Sequence, residues 1–347
     1  MESVAASTPE DTAPVCSICI ANYNGEELLR DCIDSILAQT LYLPVEILVH
    51  DDASTDASLD LLHAEYPQVQ IIPSTQNVGF CIANNRMAAQ ARGQYLLLLN
   101  NDAALAPDAL DTLLRHATAQ HPQGILSLPQ YDWLTGELVD RGCLLDPFYN
   151  PVPNLDARRT EVAMVIGACL WIPRTLWKEL GGFPEWFESI AEDMYLCCRA
   201  RLAGYPVEVT ADSAYRHRQG KSFGGNRANA GRLSTTYRRR RLSERNKTFA
   251  MVVCTPAPWI WCLLPLHLTL LLIEGLILAC MNRDRRIWSE IYGNVIANLL
   301  AQRGTLAKQR NAAQRSRPPT APSYRRPFVA WPRKLQLLRA HGLPRVD

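Results

Sequence analysis

The sequence predicts an α/β fold, a mostly parallel sheet with helices on both faces, followed by a helical C-terminal region. Three observations carry that expectation. Through residues 15–129 short apolar runs alternate with amphipathic segments, the pattern of strands buried on both faces and joined by right-handed helical crossovers. Three polar clusters follow such runs, and in these sheets ligands bind beyond the carboxyl ends of the strands. Residues 216–247 then hold eleven Lys or Arg against one acid, Glu244, and lead into 26 residues without formal charge, 248–273.

The elements follow in order. VCSICIA opens the sheet, EELLRDCIDSILAQ is the first helix, VEILVH the second strand, residues 59–65 a short helix and VQII the third strand. IANNRMAAQA is helical, QYLLLL a central strand, DALDTLLRHA a helix and ILSLP the last strand of this half. Residues 131–159 carry no regular pattern, and VAMVIGACLWIP is apolar again. WKELGGFPEWF holds a short helix stopped by paired glycines, and AEDMYLCCRARLAGY a helix with Gly204 just past its end. The uncharged run is long enough to cross a bilayer at about 1.5 Å rise per residue, although Pro256, Pro258, Pro265 and His267 interrupt it and Glu274 follows. An amphipathic helix runs from about residue 285 to 300, and the Pro- and Arg-rich tail from 315 reads as flexible. The predicted organisation is a disordered N-terminus at 1–14, a catalytic domain at 15–235, a helical membrane-associated region at 236–303 and a basic tail at 304–347.

With 347 residues, 48% of them hydrophobic, the chain has ample core and is not a disordered protein. The formal charge of +2 hides an acidic front half and a basic block, which suits phosphates of lipid, nucleotide or nucleic acid. The eleven cysteines, among them Cys32, Cys169, Cys197, Cys198 and Cys262, sit mostly in apolar runs and read as reduced core residues. Cys16 and Cys19 have C-x-x-C spacing but lie within a strand, without a second pair for zinc. The polar, acidic start lacks an apolar signal segment, so the chemistry is expected to be cytosolic.

The polar clusters are ANYN at 21–24, HDDAS at 50–54 and NND at 100–102. In the last, one carboxylate helped by an amide oxygen makes a poor all-protein cage, but it suits Mg²⁺ or Mn²⁺ when substrate phosphates complete the shell. The same residues also fit a strand end and turn, with Pro107 and Asp108 opening the next helix. Glu192 and Asp193 stand at the head of an amphipathic helix. There they cap its first turn, or they line a cleft in which one acid positions an acceptor and the other removes its proton.

ANYN, HDDASTDAS, NVGFCIANN, LLLLNNDA and the long run IGACLWIPRTLWKELGGFPEWFESIAEDMYLCCRARLAGYPVEVTADSAYRH together resemble, over about residues 15–300, a family 2 glycosyltransferase of the Rossmann-like GT-A fold. The bacterial rhamnosyltransferase-like members are the most similar. The resemblance implies that Tyr23, Asp52 and Asp51 contact the base and ribose of a nucleotide-sugar, with Asn77, Gly79 and Asn85 lining the same pocket. NND stands at the family's D-x-D motif, with Asn100 replacing its first Asp; this implies Asp102, beside Asn100 and Asn101, as ligand of a divalent cation and the diphosphate. Gly167 falls in a glycine loop near the acceptor, Asp193 is implied as catalytic base with Glu192 in support, and His217 completes the metal shell. For His217 the alternative is a surface histidine in a basic loop.

The implied activity is inverting transfer of a sugar from a nucleotide-diphosphate donor to a hydroxyl of a glycan or lipid-linked acceptor in cell-surface polysaccharide synthesis. Arg218 and Lys221 are candidates for holding phosphates. Basic residues ahead of the apolar run suit the cytoplasmic face of an inner membrane; a buried helical subdomain is the other reading. The alternative function is a non-catalytic nucleotide- or nucleic-acid-binding module on the same fold. Against nucleic acid, the basic block offers few aromatics for stacking, Phe223 and Tyr237.

Overall fold

The computed structural model describes residues 13–218, 227–229, 232–316, 318, 324–342 and 345–346; Lys221, Phe223 and residues 1–12 lie outside them. In chain order come β1 (Cys16–Asn22), α1 (Glu26–Leu37), β2 (Val45–Asp51), α2 (Ser58–Glu65), β3 (Gln70–Pro73), α3 (Phe80–Gln90), β4 (Tyr95–Leu99), β5 (Ala103–Leu105), α4 (Ala109–Ala119) and β6 (Ile125–Ser127). Four short strands occupy the stretch without sequence pattern: β7 (Gln130–Asp132), β8 (Leu138–Asp140), β9 (Cys143–Leu145) and β10 (Pro151–Pro153). Then follow β11 (Cys169–Pro173), α5 (Arg174–Leu180), α6 (Glu192–Leu202), β12 (Val207–Val209) and β13 (Tyr215–His217).

Seven strands form the main sheet in the order β12, β6, β11, β4, β1, β2, β3. The β3, β2, β1, β4 half is parallel, as is the β6–β12 pair, while β11 runs antiparallel to both β4 and β6. The sheet is therefore mixed: β11 is an apolar run that reads alike in either direction, so its polarity is invisible before its neighbours are known.

The leucine run explains itself here. Leu96 and Leu98 join the core on one face with Cys19, Leu170 and Ile172, while Tyr95, Leu97 and Leu99 join the other with Ile18, Val49 and Trp171. Tyr95 stacks on Trp171 at 4.9 Å between ring centroids. Each buried leucine contributes roughly 1.5–3 kcal/mol of transfer free energy, which anchors the strand whose end carries NND.

A second sheet, β5, β13, β7, β8, lies beyond that strand end. β13 pairs antiparallel with β5, setting His217 opposite Ala103 and so beside Asp102. Helix α6 is buried along nearly its whole length rather than amphipathic; its interior Arg201 is paired with Glu161 at 3.0 Å.

The C-terminal region contains α7 (Tyr237–Cys254), α8 (Trp259–Asn282), α9 (Gly293–Ala301), α10 (Arg303–Arg315) and α11 (Arg333–His341). The uncharged run does not form one helix. Its first part ends α7 inside the core, where Phe249, Met251 and Val253 are buried, and the chain breaks at Thr255–Pro258 before α8 begins. Among the described residues α8 is the one helix long and apolar enough to cross a membrane, with mean hydropathy 2.1 and little of it buried. Ile260, His267, Leu271 and Leu278 face the protein, and Trp261, Leu270, Ile273 and Ile277 are exposed. Cys262 is exposed on this helix, in contrast to the core position expected for it. Beneath α8 lies a charged knot: buried Glu244 takes Lys247 at 2.6 Å and Lys334 at 2.8 Å, and Glu274 pairs with Arg240 and Lys334.

The tail is not uniformly loose. The Tyr324 and Tyr149 hydroxyls meet at 2.8 Å, Val329 N–H donates to Leu145 O at 2.8 Å and Arg333 N–H to Asp146 Oδ2 at 2.7 Å. Aromatic anchors within a Pro/Arg-rich composition account for the difference.

Candidate active site

The loops after β1 and β2 are knitted around Asn22, which is buried. Its amide donates to Asp51 Oδ1 at 3.1 Å and Ser54 Oγ at 3.3 Å, and its Oδ1 accepts from Asn101 Nδ2 at 2.8 Å. Asp51 also accepts the Ser54 N–H at 3.0 Å. Asp52 accepts the backbone N–H groups of Val78 at 2.7 Å and Gly79 at 2.8 Å, tying the 77–79 loop to the end of β2. Gly79 has φ +87°, a conformation that favours glycine. Tyr23 and Asn77 are exposed at the rim. Asn85 is turned away to the backbone of Phe183, donating to its carbonyl at 2.9 Å and accepting its N–H at 3.0 Å. Gly25 is required by space: a Cβ there would fall 2.3 Å from both Asn101 Nδ2 and Asn22 Oδ1.

The NND turn splits in direction. Asn101 points back into the Asn22 cluster, whereas Asn100 and Asp102 face His217. His217 Nε2 lies 3.0 Å from Asp102 Oδ1 and 3.5 Å from Asn100 Nδ2. Asn100 Oδ1 and His217 Nδ1 are buried without a hydrogen-bond partner, while Asp102 Oδ1 faces the His217 ring. Unpartnered buried polar atoms are costly, and a carboxylate, an amide and an imidazole gathered at one strand end are side chains able to ligate a hard divalent cation. Among the described residues no cluster of three or more His, Cys, Asp and Glu stands together, so oxygens from outside the protein would have to complete the shell. Arg218 is engaged elsewhere: its backbone N–H donates to Asp102 O at 3.0 Å, while its guanidinium pairs with Asp31 and lies 4.1 Å from the Trp133 ring.

The acid pair opens α6. The residue ahead of the helix is Ala191, whose side chain offers no capping hydrogen bond, and it is Asp193 that meets a first-turn N–H. Asp193 accepts the Gly167 N–H at 3.0 Å through Oδ2 and its neighbour Met194's N–H at 2.6 Å through Oδ1. Glu192 is buried, and its Oε2 has no partner. Burial, then the charge of Asp193, pushes the Glu192 carboxyl up to about 8. Burial also raises Asp193, opposed by the two backbone N–H groups. Arg239 of α7 lies within charge–charge range of both acids; burial lowers its pKa and the two carboxylates raise it.

The two halves meet through two residues of backbone. Gly167 holds Asp193, and the carbonyl of Ala168 accepts the Asn100 N–H at 3.0 Å. Residues 17–181 match the family model described as glycosyl transferase family 2. That stretch is where the chain is similar to family 2 glycosyl transferases. The domain is 30% identical over 205 residues to the poly(ribitol-phosphate) β-glucosyltransferase of Bacillus spizizenii, covering 57% of this chain and 31% of that protein. It is 26% identical over 211 residues to the N-acetylglucosaminyl-diphospho-decaprenol L-rhamnosyltransferase of Mycobacterium tuberculosis, covering 52% and 69%. The chain spans less than a third of the length of the first curated relatives it matches. Among solved structures, S. aureus TarS 1-349 in complex with UDP-GlcNAc superposes with TM-score 0.56 at 18% identity, over 87% of this chain and 88% of that one. A Pyrobaculum calidifontis mannosyltransferase in complex with GDP-Man and Mn²⁺ gives 0.51 at 16% identity, over 88% and 86%. The domain has the GT-A fold.

Sequence reasoning did not single out Asn22, Gly25, Arg239 or Asn246. Asn22 lies within ANYN, where Tyr23 drew the attention, and Gly25 follows it. Arg239 is one of four consecutive arginines, and nothing local separates an inward guanidinium from solvated ones.

Proposed function

We propose that the chain is an inverting glycosyltransferase that moves a sugar from a nucleoside-diphosphate donor to a hydroxyl of a glycan or lipid-linked acceptor in cell-surface polysaccharide synthesis. One observation carries the reading: Asn100, Asp102 and His217 gather at the end of β4, one short backbone link from the Asp193 carboxylate.

In this reading Tyr23, Asp51, Asp52, Asn77, Gly79 and Asn101 line or build the nucleotide pocket, directly at the rim or through the hydrogen bonds that shape it, while Asn85, expected to line it, instead fixes the Phe183 backbone. Asp102, Asn100 and His217 would hold a divalent cation, Mg²⁺ or Mn²⁺, which when bound offsets the charge growing on the leaving diphosphate. The acceptor hydroxyl approaches the anomeric carbon from the face opposite the diphosphate. Its oxygen forms the new bond to that carbon, its proton passes to Asp193, and the electron pair of the broken bond leaves with the diphosphate. Inversion follows from that geometry. The Gly167 and Met194 N–H groups favour the ionised form of Asp193 and aim it, and each carboxylate oxygen keeps a lone pair for the incoming proton. Glu192, protonated near neutral pH by its burial, supports the acceptor as a hydrogen-bond donor.

We place the enzyme at the cytoplasmic face of the inner membrane, held by α8 lying along the surface with its exposed Trp and Leu side chains in the lipid. Glu274, paired from the protein side with Arg240 and Lys334, supports a helix that lies flat rather than one that spans.

The test is a thermal-shift screen of UDP-, GDP- and dTDP-sugars with Mn²⁺, followed by turnover of the stabilising donor by wild type and Asp193→Asn. Donor binding retained with turnover lost supports the reading; turnover retained by the variant removes Asp193 as the base, and a chain that no nucleotide-sugar stabilises loses the donor class.

A further inference from the structure

Helix α7 reaches the active site by a route separate from Arg239. Asn246, fully buried, sets its Nδ2 3.0 Å from Phe187 O, 3.0 Å from Ser189 O and 2.8 Å from Ile190 O. Its Oδ1 accepts Arg245 Nε at 2.9 Å, and the Arg245 guanidinium donates to Phe187 O at 3.1 Å and to Glu188 Oε1 at 3.3 Å. Three carbonyl oxygens around the nitrogen fix the direction of the amide, because the flipped form would set oxygen against oxygen.

The turn held in this way is one the chain resists. Glu188, Ile190 and Ala191 have φ of 65°, 70° and 68°, and the left-handed region is unfavourable for residues bearing a Cβ, most of all a β-branched one. Such conformations persist only where the surroundings over-determine them, and they gather at functional sites. Glu192 and Asp193 follow directly. The same turn touches the nucleotide half, since Cys81 N–H donates to Glu188 O at 3.4 Å. A relaxed turn would rotate the start of α6 and carry Asp193 off the Gly167 N–H.

We propose that Asn246 is a positioning residue for sugar transfer: its grip on residues 187–190 holds the left-handed turn that aims Asp193, with Arg245 orienting its amide. The inference rests on reading Asp193 as the base. A residue that merely stabilises the fold would change melting temperature and yield, but not the turnover of each folded molecule or its dependence on pH.

The experiment uses the full chain as wild type, Asn246→Ala, Asn246→Asp and Arg245→Gln. UDP and GDP affinity with Mn²⁺ is read by calorimetry, and nucleoside-diphosphate release is followed from pH 5 to 9 with the nucleotide-sugar that the wild type turns over. Asn246→Ala is expected to keep nucleotide affinity and lose about a hundredfold in kcat, the scale of a misplacement near 1 Å, with its acid limb displaced. Asn246→Asp, which offers no N–H to the three carbonyls, is expected to follow it. Should Asn246→Ala not fold, Arg245→Gln decides, with a smaller loss of kcat at unchanged nucleotide affinity. A folded variant with wild-type kcat and pH profile overturns the proposal alone. A wild-type chain that turns over no nucleotide-sugar defeats the functional reading, and this inference with it.

Discussion

The backbone N–H of Gly167 donates to the carboxylate of Asp193 at 3.0 Å, and the next residue's carbonyl accepts the N–H of Asn100. A Cβ at Gly167 would stand in ordinary van der Waals contact, 3.7 Å from Asp193 Cβ and from the Phe80 ring, so it is the backbone N–H rather than the missing side chain that serves the acid. The segment entering β11 thus sets the spacing between the acid pair and the NND turn.

Because burial raises Asp193, its loss of a proton lies above the ordinary carboxylate range. Turnover should fall as pH drops through that raised value, leaving an acid limb in kcat. Asp193→Asn should lose about 10²–10⁴-fold in kcat, the usual contribution of a general base, and lose the limb. Stopped-assay pH profiles of both proteins check this, and a limb that survives the substitution assigns it to another group.

Asp102→Asn and His217→Ala should each weaken UDP affinity measured with Mn²⁺, while affinity measured in chelator stays the same. Titration calorimetry with and without chelator reads both arms. Equal affinities for wild type and both variants, with and without chelator, would remove the cation from the site.

Glu192 carries a stability signature. Its carboxyl is pushed up to about 8 in the folded protein, so the folded state holds the proton more tightly than the unfolded chain. The stabilisation is full below the unfolded value near 4.5 and is lost as pH rises through about 8. Glu192→Gln should therefore melt higher than wild type at pH 9 and show a flatter profile between pH 5 and 9. A wild-type melting temperature that rises over that range relative to the variant would sink the assignment.

Glu244 neutralises buried Lys247 together with Arg240 and Lys334. Removing one partner of a buried ion pair typically costs about 3–5 kcal/mol, so Glu244→Gln should lower the urea midpoint clearly. Glu65→Gln, on an exposed pair with Arg30, should leave the midpoint almost unchanged.

For α8 the prediction concerns lipid. Wild type should sediment with phosphatidylglycerol vesicles and be released by alkaline carbonate, while Trp261→Ser combined with Leu270→Ser should stay in solution. Retention after carbonate would point to a spanning helix, and wild type that never sediments would end the membrane reading.

Much of the nucleotide half was legible in the sequence, because β1 to β4 alternate with helices and each polar cluster ends a strand. NND and HDDAS were found for that reason, and the acid pair because it heads a helix. The antiparallel sense of β11 was not legible, since direction is set by tertiary pairing. The strands within 131–159 were too short for a period to register. The grip of Asn246 on residues 187–190 was hidden by distance, with 59 residues of sequence between donor and acceptor in the Phe187 contact. His217 became interpretable only when the β5–β13 register set it beside Asp102.

Lys334 enters the chain 90 residues after Glu244 and 60 after Glu274. Arg240 and Lys247 already balance the two acids before that ammonium group is made, so Lys334 arrives as a late clasp that ties α11 to the underside of α8. A chain cut short ahead of residue 334 would keep its acids paired and lose the clasp.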